Sequence, residues 1–387
     1  MANHTVGGNT LSVPTDAPPT LATAAAAPAA HGRDLLGAVV DDALIDFLSA
    51  EMSALDLIDP ALRPFAQTAR DTVLGGGKRL RPVFAHWGWR GVVGTDAPLA
   101  PVLPALAALE LLHAFALVHD DVMDASATRR GRPTVHQRMA GQHRDAGRRG
   151  DAARFGDAAA VLAGDLCLVW ADRLLAMADV PAATLLGVRR CYDQMRVETI
   201  AGQYLDILGE SDPDNWSVDR ALRVARHKTA CYTVLRPLQL GAALAGPATE
   251  PAVWEAYRRY GTDVGEAFQL RDDLLGVFGD PARTGKPAGD DLRTGKPTPL
   301  LLIARELATD VQRAELAGPV AGDGSAADRQ VARMTEVVVE TGAVNRVERM
   351  IEERVHDGVA VLAAAPIDSA ARAALTDLAV AATARQA

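Results

Sequence analysis

The sequence predicts an all-α fold from two features, the composition of its core and the spacing of its apolar residues. Hydrophobic residues make up 49% of the 387 residues and aromatic residues only 4%, so the core is largely aliphatic. A core of Ala and Leu favours packed helices, whereas strands recruit Val, Ile, Thr and aromatic residues. Apolar residues also recur at helical spacing from residue 34 onward, beginning with Leu35, Val39 and Leu44. We therefore expect one helical domain over residues 34–387.

The first 33 residues and the overall charge argue against other classes of protein. Residues 1–33 are rich in Ala, Pro, Thr and Gly and have few large apolar side chains, so we predict a disordered tail. A net charge of -9 argues against nucleic acid as a partner and fits a soluble acidic enzyme. The cysteines have no C-x-x-C spacing, so neither a disulfide framework nor a zinc site is indicated, and a cytoplasmic location is expected.

The longest apolar run, residues 97–118, has the length of a membrane span. Prolines break its start, and Glu110 and His113 interrupt the rest. Because a membrane helix needs about 20 consecutive apolar residues, we expect a buried helix here and no membrane span.

Two predicted helices, one from residue 34 and one over residues 60–73, lead into the sequence GGGKRLRP at residues 75–82. Its glycines leave backbone N–H groups open and let a ligand approach closely, and Lys78 and Arg81 follow at once. The segment therefore predicts a phosphate-binding loop, with a flexible basic loop between helices as the alternative. It is not a P-loop, because the G-x-x-x-x-G-K spacing is absent.

Aspartates end two of the apolar helical runs. With about 3.6 residues per turn, Asp120 and Asp124 lie on the same helix face and Asp121 lies beside them. Carboxylates this close repel one another, so we expect a compensating cation, with a solvated helix end as the alternative. Oxygen ligands without His or Cys favour Mg²⁺. Because Asp272 and Asp273 form a second such cluster, we predict two walls of one metal site.

Arginines follow the first acidic cluster. Arg129 and Arg130 lie shortly after it, and guanidinium groups bind phosphate bidentately. Residues 139–154 are rich in Gly and Arg without periodicity and predict a surface loop. Helical patterning then resumes over residues 155–178, with Trp170 expected in the core.

Two polar groups follow on predicted helices. Gln203 and Asp206 share one helix face, and Lys228 and Thr229 belong to a second basic patch. Ordinary helix-surface side chains are the alternative for both groups. The loop after the second acidic cluster contributes two further cations, Lys286 and Lys296. From residue 299 onward we expect four more helices, which serve as scaffold.

Taken together and in this order, the motifs resemble those of the trans-isoprenyl diphosphate synthases, also called polyprenyl synthetases, and are most like those of geranylgeranyl diphosphate synthases. The resemblance covers about residues 34–387 and rests on GGGKRLRP, DDVMD with RRG, GQYLD, KT, and DDLLG with FGDP and TGK. It implies a large helical bundle around a central cavity, a homodimer, and both aspartate motifs at the cavity mouth.

The resemblance also implies a reaction. An allylic diphosphate ionises, the double bond of isopentenyl diphosphate attacks the carbocation, and a proton is lost. Mg²⁺, expected as three ions per site, would neutralise the departing diphosphate. The implied metal ligands are Asp120, Asp121, Asp124, Asp272 and Asp273. The implied contacts to the allylic diphosphate are Arg129, Lys228, Gln269 and Lys286, with Lys296 beside them. The implied contacts to isopentenyl diphosphate are Lys78, Arg81, His113 and Arg130. The side chains expected beside the forming cation are Thr229, Gln203 and Tyr204. The expected catalytic set is Asp120, Asp121, Lys228, Thr229 and Gln203.

Two positions set finer expectations. Gly276 stands where the D-D-x-x-D pattern carries its third carboxylate, so Gly276→Asp is expected to tighten Mg²⁺ binding. Phe115 and Ala116 precede Asp120, where the family sets product length, and one aromatic residue with a small neighbour implies a C20 product, geranylgeranyl diphosphate. A C15 or longer product remains open, as does the packing of Phe115 between helices while another residue forms the floor.

Two other functions fit parts of the pattern. A class I terpene cyclase shares the first acidic motif, but its second motif carries Asn, Ser and Glu at helical spacing, and it lacks the Gly-Lys-Arg loop. A non-catalytic partner subunit of another synthase is expected to have lost metal ligands or loop cations, and this chain keeps all but one of them.

Overall fold

The computed structural model describes residues 29–279, 289–320, 322 and 324–383. Within these ranges the regular structure is almost entirely helical, which confirms the all-α prediction. Residues 1–28 of the expected tail lie outside the described residues, and so does Lys286. The first helix begins at Ala29, ahead of the domain boundary expected at residue 34.

Apart from a 3₁₀ turn (Pro60–Leu62) and a short hairpin, seven α-helices make up the first half of the described chain, and the fourth lies at its centre. They are α1 (Ala29–Ile58), α2 (Arg63–Val73), α3 (Leu80–Val93), α4 (Leu103–Met123), α5 (Val135–Asp145), α6 (Ala152–Ala176) and α7 (Ala182–Ser211). By length and composition α4 could cross a membrane, but 67% of its most apolar window is buried inside the protein, mainly against α6. The expectation of a buried helix is therefore confirmed.

The surface loop expected over residues 139–154 is wrong for most of its length. Helix α5 occupies the first part, and α6 begins after Asp151, whose carboxylate accepts hydrogen bonds from the backbone N–H groups of Ala153 and Arg154. The gap between the helices is short, and α5 packs along α6. Its buried residues are Val135, His136, Met139, Ala140 and His143. Because two of the buried positions of α5 are histidines, a pattern of apolar residues alone does not reveal its helical periodicity.

The second half of the chain contains a π-helix and several short helices. After a 3₁₀ turn (Pro213–Asn215) come α8 (Val218–Ala225), the π-helix (Arg226–Leu235), α9 (Arg236–Leu244), α10 (Pro251–Phe278), α11 (Asp290–Thr294), α12 (Pro299–Leu307), α13 (Asp310–Glu315), α14 (Ser325–Glu340), α15 (Ala343–Ala363) and α16 (Ser369–Thr383). The expectation of four helices after residue 299 is wrong, because a further helix, α13, begins at Asp310. A capping box between Thr309 and Gln312 starts it.

Two large apolar cores, and a smaller one around Trp216, hold the described helices together. The first surrounds α4 and includes Trp170, which is 1% exposed, as predicted. The second lies between the C-terminal half of α10 and helices α12, α14 and α15. Because α10 takes part in both cores, its acidic end is held in a fixed position relative to α4.

Candidate active site

A cavity of about 770 Å³ lies among α4, α7, the π-helix, α10 and the loop before α3. It brings together most of the side chains that the sequence identifies. Those that line it are Lys78, Arg81, His113, Ala116, Asp120, Asp124, Arg129, Arg130, Gln203, Lys228, Thr229, Gln269, Asp272, Asp273 and Lys296. The helical bundle therefore has the central cavity that the resemblance implies.

Asp120 and Asp124 form the first acidic wall of the cavity, and Asp120 accepts several hydrogen bonds. Its Oδ1 accepts hydrogen bonds from Lys228 Nζ at 2.9 Å and from Gln203 Nε2 at 3.2 Å. Its Oδ2 accepts a hydrogen bond from Arg129 Nη2 at 3.2 Å. Burial raises the pKa of Asp120, but the positive charges of Lys228 and Arg129 outweigh burial and hold that pKa below its ordinary value. Asp120 is therefore ionised at neutral pH, as a metal ligand has to be.

Asp124 caps the C-terminus of α4 one turn further on. Burial, followed by the negative charge of Asp120, raises the pKa of Asp124 to about 6, against the opposing charges of Lys296 and Lys228. Its carboxyl group is therefore mostly ionised at neutral pH and becomes protonated in mildly acidic solution. A divalent cation shared by Asp120 and Asp124 would remove the repulsion that contributes to this shift.

Asp121 does not line the cavity, in contrast to its expected role as a metal ligand. Its side chain is 5% exposed, and its Oδ1 lies 2.7 Å from Arg129 Nη2. On α4 Asp121 lies about 100° around the helix from Asp120, and its carboxylate faces Arg129. We therefore reassign Asp121 as the residue that positions Arg129.

A two-stranded hairpin, β1 (Thr128–Arg129) and β2 (Arg132–Pro133), presents the two arginines. Its turn residues Arg130 and Gly131 have φ values of 53° and 71°, and two positive φ values are typical of a type I′ turn. The turn directs Arg130 to the glycine-rich loop, where its Nη1 donates a hydrogen bond to the carbonyl of Gly76. The hairpin thus links the first acidic wall to that loop.

Two partly buried lysines join the first acidic wall to a further carboxylate. Asp206 Oδ2 lies 2.6 Å from Lys228 Nζ and 2.8 Å from Lys296 Nζ. Lys296 Nζ also lies 2.8 Å from Glu210 Oε1 and 3.8 Å from Asp124 Oδ2. Burial lowers the pKa of each lysine, but these carboxylates outweigh it and raise both pKa values above the ordinary one. Both lysines are therefore charged and can pair with phosphate oxygens.

The π-helix presents Lys228 and Thr229 to the cavity. Its backbone lies directly against α7 at Gly202, where an added Cβ would stand 2.3 Å from the Lys228 backbone nitrogen. A π-helical turn is wider than an α-helical one and is frequent at functional sites. Any residue larger than glycine at position 202 would displace the backbone that carries Lys228.

The second acidic wall lies on α10. Gln269 Nε2 donates a hydrogen bond to Asp273 Oδ1 at 2.9 Å. Asp273 is 4% exposed, and among the described residues its Oδ2 has no hydrogen-bond partner. Burial is the largest cause that raises the pKa of Asp273 well above its ordinary value, and the charges of Asp291 and Asp272 add to it. A cation bound at this carboxyl group would supply the missing partner and favour its ionised form.

These carboxylates fit Mg²⁺ bound together with a diphosphate. In the described ranges no three His, Cys, Asp or Glu side chains are close enough to hold a metal ion by themselves. Mg²⁺ in proteins usually keeps several waters and binds through one or two carboxylates and substrate phosphates. Asp120 and Asp124 on one helix, with Asp272 and Asp273 on another, match that pattern because all four line one cavity.

A second group of basic residues lies near the glycine-rich loop. Arg81 is 8% exposed, its Nη2 donates a hydrogen bond to Thr233 Oγ1 at 2.9 Å, and its guanidinium lies 4.1 Å from the ring centre of Tyr232. Burial, followed by the charges of Arg81 and Arg130, lowers the pKa of His113 well below its ordinary value. His113 is therefore neutral at physiological pH. It can donate one hydrogen bond to a substrate but adds no positive charge.

With this geometry in place, comparison with known proteins decides the family. The sequence matches the polyprenyl synthetase family over residues 63–338. The chain belongs to this family. It is 36% identical to a geranylgeranyl diphosphate synthase of Mycobacterium tuberculosis, over 76% of this chain and 77% of that protein. It is 33% identical to a (2E,6E)-farnesyl diphosphate synthase of the same organism, over 84% and 86%. The solved structure of geranylgeranyl pyrophosphate synthase from Corynebacterium glutamicum, complexed with isoprenyl diphosphate and magnesium, matches with a TM-score of 0.86 and 42% identity, over 92% of this chain and 99% of that one.

Two residues expected at the site of this polyprenyl synthetase lie away from the cavity. Phe115 is about 140° around the helix from Asp120, and its ring packs edge-on against His119 with the ring centres 4.8 Å apart. Tyr204 is 66% exposed and does not line the cavity. The expected roles of Phe115 as cavity floor and of Tyr204 beside the cation are therefore corrected. Ala116, on the cavity side of α4, keeps its expected place.

The sequence-based prediction of the site omits two acidic residues, Asp206 and Asp291, that the structure of this polyprenyl synthetase places there. Asp206 pairs with Lys228 and Lys296, and Asp291 lines the cavity beside the second acidic wall. A signal was present for each. Asp206 shares a predicted helix face with Gln203, and Asp291 belongs to an aspartate pair just before Lys296, in a loop otherwise considered only for its cations.

Proposed function

We propose that this polyprenyl synthetase condenses isopentenyl diphosphate with an allylic diphosphate, and that its main product is geranylgeranyl diphosphate. The observation that carries the proposal is that two pairs of carboxylates, Asp120 with Asp124 and Asp272 with Asp273, line the same cavity as seven Lys and Arg side chains of the described chain. A cavity that binds two diphosphates and divalent cations needs both kinds of group. Names of relatives support the same activity, since they include geranylgeranyl and farnesyl diphosphate synthases.

The allylic diphosphate is assigned to the side of the cavity near α4. There Lys228 and Lys296 form ion pairs with carboxylates. Arg129 is held by the carboxylates of Asp120 and Asp121. A diphosphate that enters with cations exchanges these internal ion pairs for lysine–phosphate and carboxylate–metal pairs, so no charge is left unpaired. When bound, Mg²⁺ supplies Lewis-acid stabilisation of the departing diphosphate, and we expect three ions per site.

Isopentenyl diphosphate is assigned to the side near the glycine-rich loop. Lys78, Arg81 and Arg130 line the cavity there, and they belong to the loop, α3 and the hairpin respectively. Thr229 and Gln203 also line the cavity, and we assign them to stabilise the developing positive charge through their oxygen atoms. Such fixed dipoles act most strongly where water is excluded.

Product length is assigned to the wall below Asp120. Ala116 lines the cavity one helical turn before Asp120, so it leaves room for a growing chain at that depth. The test is to incubate the purified protein with Mg²⁺, isopentenyl diphosphate and each short allylic diphosphate, and to separate the dephosphorylated products by chromatography. A C20 alcohol as main product supports the proposal. A C15 main product contradicts the assigned length, and the absence of any elongated product contradicts the function.

We also propose that the protein is a cytoplasmic homodimer that associates through α6 and α7. Asp172 of α6 is joined to Arg196 of α7 by an ion pair of 3.0 Å. Both helices leave large apolar side chains exposed, which is typical of an interface. Those with more than half their surface exposed are Leu162, Val169, Leu186, Val197, Ile200 and Tyr204. The cysteines of the described chain are unpaired, as expected in a reducing compartment.

The dimer proposal can be tested by light scattering during size exclusion. The wild-type protein is expected to elute as a dimer and Ile200→Arg as a monomer, because a buried unpaired charge is unfavourable in an apolar interface. Leu57→Arg is the control, since Leu57 is 90% exposed on α1 and lies outside the proposed interface. A wild-type monomer, or an unchanged dimer for Ile200→Arg, contradicts the proposal.

A further inference from the structure

The second aspartate motif has no side chain at its third position, and a separate segment of the chain covers that position. Gly276 lies one helical turn after Asp272 on α10, so both are on the same face. The backbone N–H of Gly289 donates a hydrogen bond to the carbonyl of Gly276 at 2.9 Å. This contact fixes the start of α11 against the end of α10.

The first turn of α11 places a carboxylate where a side chain at position 276 would extend. A Cβ added to Gly276 would stand 2.5 Å from Asp291 Oδ2 and 3.3 Å from its Cγ. Such distances are too short for any residue larger than glycine at position 276 without displacement of Asp291. Gly276, Asp272 and Asp291 all line the active-site cavity. The carboxylate of Asp291 therefore occupies the side-chain position of the absent third aspartate.

An independent feature of the same wall indicates that a cation is needed there. Asp273 is 4% exposed, and its Oδ2 has no hydrogen-bond partner among the described residues. A buried polar oxygen without a partner is unfavourable by itself, and a bound ion removes that cost. Asp273 thus indicates a cation site beside Gly276, at the point where Asp291 enters the wall.

We propose that Asp291 is a magnesium ligand of this enzyme and replaces the carboxylate that Gly276 lacks. The second metal wall is then formed by two segments, with Asp272 and Asp273 from α10 and Asp291 from α11. Asp291 contacts the ion directly or through one of its bound waters, as carboxylates around Mg²⁺ commonly do. The inference rests on the proposed function, because the ion is expected to bind together with a diphosphate.

This assignment reverses the expected effect of restoring the motif. Gly276→Asp alone would displace the Asp291 carboxylate from this position, so it should weaken Mg²⁺ binding where the sequence motif suggests tighter binding. Removing the Asp291 carboxylate in the same protein relieves the contact. The double variant Gly276→Asp with Asp291→Ala should therefore bind Mg²⁺ better than either single variant.

The experiment is a calorimetric titration of Mg²⁺ into the full-length protein in the presence of inorganic diphosphate, which measures binding without turnover. Asp291→Asn is expected to weaken Mg²⁺ binding at least about tenfold, as loss of a metal-positioning group commonly does. Asp328→Asn is the control. Asp328 lies on α14, is 66% exposed, and pairs with Arg293, which is on α11 like Asp291. Thermal unfolding without metal should be similar for Asp291→Asn and the wild-type protein.

The outcomes separate this inference from the proposed function. Weaker binding by Asp291→Asn, with recovery in the double variant, supports the inference. Wild-type affinity in Asp291→Asn, or tighter binding in Gly276→Asp alone, overturns it and leaves the prenyl-transfer proposal intact. If the wild-type protein itself does not bind Mg²⁺ with diphosphate, the proposed function is contradicted as well.

Discussion

Replacing Asp121 by Asn should weaken binding of the allylic diphosphate much more than binding of Mg²⁺. The reason is that Asp121 holds Arg129 through contacts of 2.7 and 2.8 Å and does not line the cavity. A hydrogen bond to a charged group contributes roughly 1.5 to 3 kcal/mol, and about 1.4 kcal/mol corresponds to a factor of ten. If Arg129 loses that much of its orientation, the KM for the allylic diphosphate should rise about tenfold to a hundredfold.

The matching substitution Asp120→Asn should show the opposite pattern. Asp120 lies on the cavity face of α4, so its loss removes a metal ligand and should lower kcat and the apparent Mg²⁺ affinity together. The assay is steady-state kinetics with the allylic diphosphate and Mg²⁺ varied in turn. Asp42→Asn, an exposed substitution on α1, is the control. Equal losses of Mg²⁺ affinity in the Asp120 and Asp121 variants would refute the separation of roles.

Three further predictions concern the other parts of the site. Lys78→Ala and Arg81→Ala should each raise the KM for isopentenyl diphosphate by about tenfold to a hundredfold, with a smaller effect on the allylic KM, and steady-state kinetics with each substrate varied would expose a reversed assignment. Ala116→Phe should shift the products toward C15, whereas Phe115→Ala should leave product length unchanged and lower the free energy of unfolding by about 3 to 5 kcal/mol, and chromatography with denaturant titration distinguishes these effects. Mg²⁺ affinity should fall as the pH drops below about 6, because the raised pKa of Asp124 means that the ion must displace a proton. Calorimetry in buffers of different ionisation enthalpy should then show proton release on Mg²⁺ binding at pH 6, and its absence would contradict the assignment.

The sequence correctly predicts the fold, and most of the residues that line the cavity, where these depend on local sequence patterns. An aliphatic core and long apolar repeats are sufficient for an all-α fold, and the arrangement of the motifs places Lys78, Arg129 and Lys228 in one cavity. Helical periodicity fails where polar residues pack inside, as His136 and His143 do on α5. Apolar patterning therefore misses a helix whose buried face includes polar side chains.

The remaining differences depend on three-dimensional arrangement. The sequence alone does not distinguish the adjacent aspartates of the first motif. The orientation of α4 places Asp120 in the cavity and Asp121 against Arg129. The apolar spacing does not predict the π-helix. Its wider turn depends on the close contact of its backbone with α7 at Gly202, which joins segments that are distant in the sequence. Asp291 is distant in sequence from Gly276, and only the packing of α11 against α10 reveals that its carboxylate occupies that position.

The central claim, that one cavity joins two diphosphate substrates, is tested most directly by the stoichiometry of diphosphate release. The purified protein would be supplied with Mg²⁺, labelled isopentenyl diphosphate and an allylic diphosphate, and released inorganic diphosphate would be measured against label incorporated into longer products. The account predicts one diphosphate released for each isopentenyl unit added, and no release when isopentenyl diphosphate is omitted. Release from the allylic diphosphate alone, without label in a longer chain, would contradict the account and favour a cyclase.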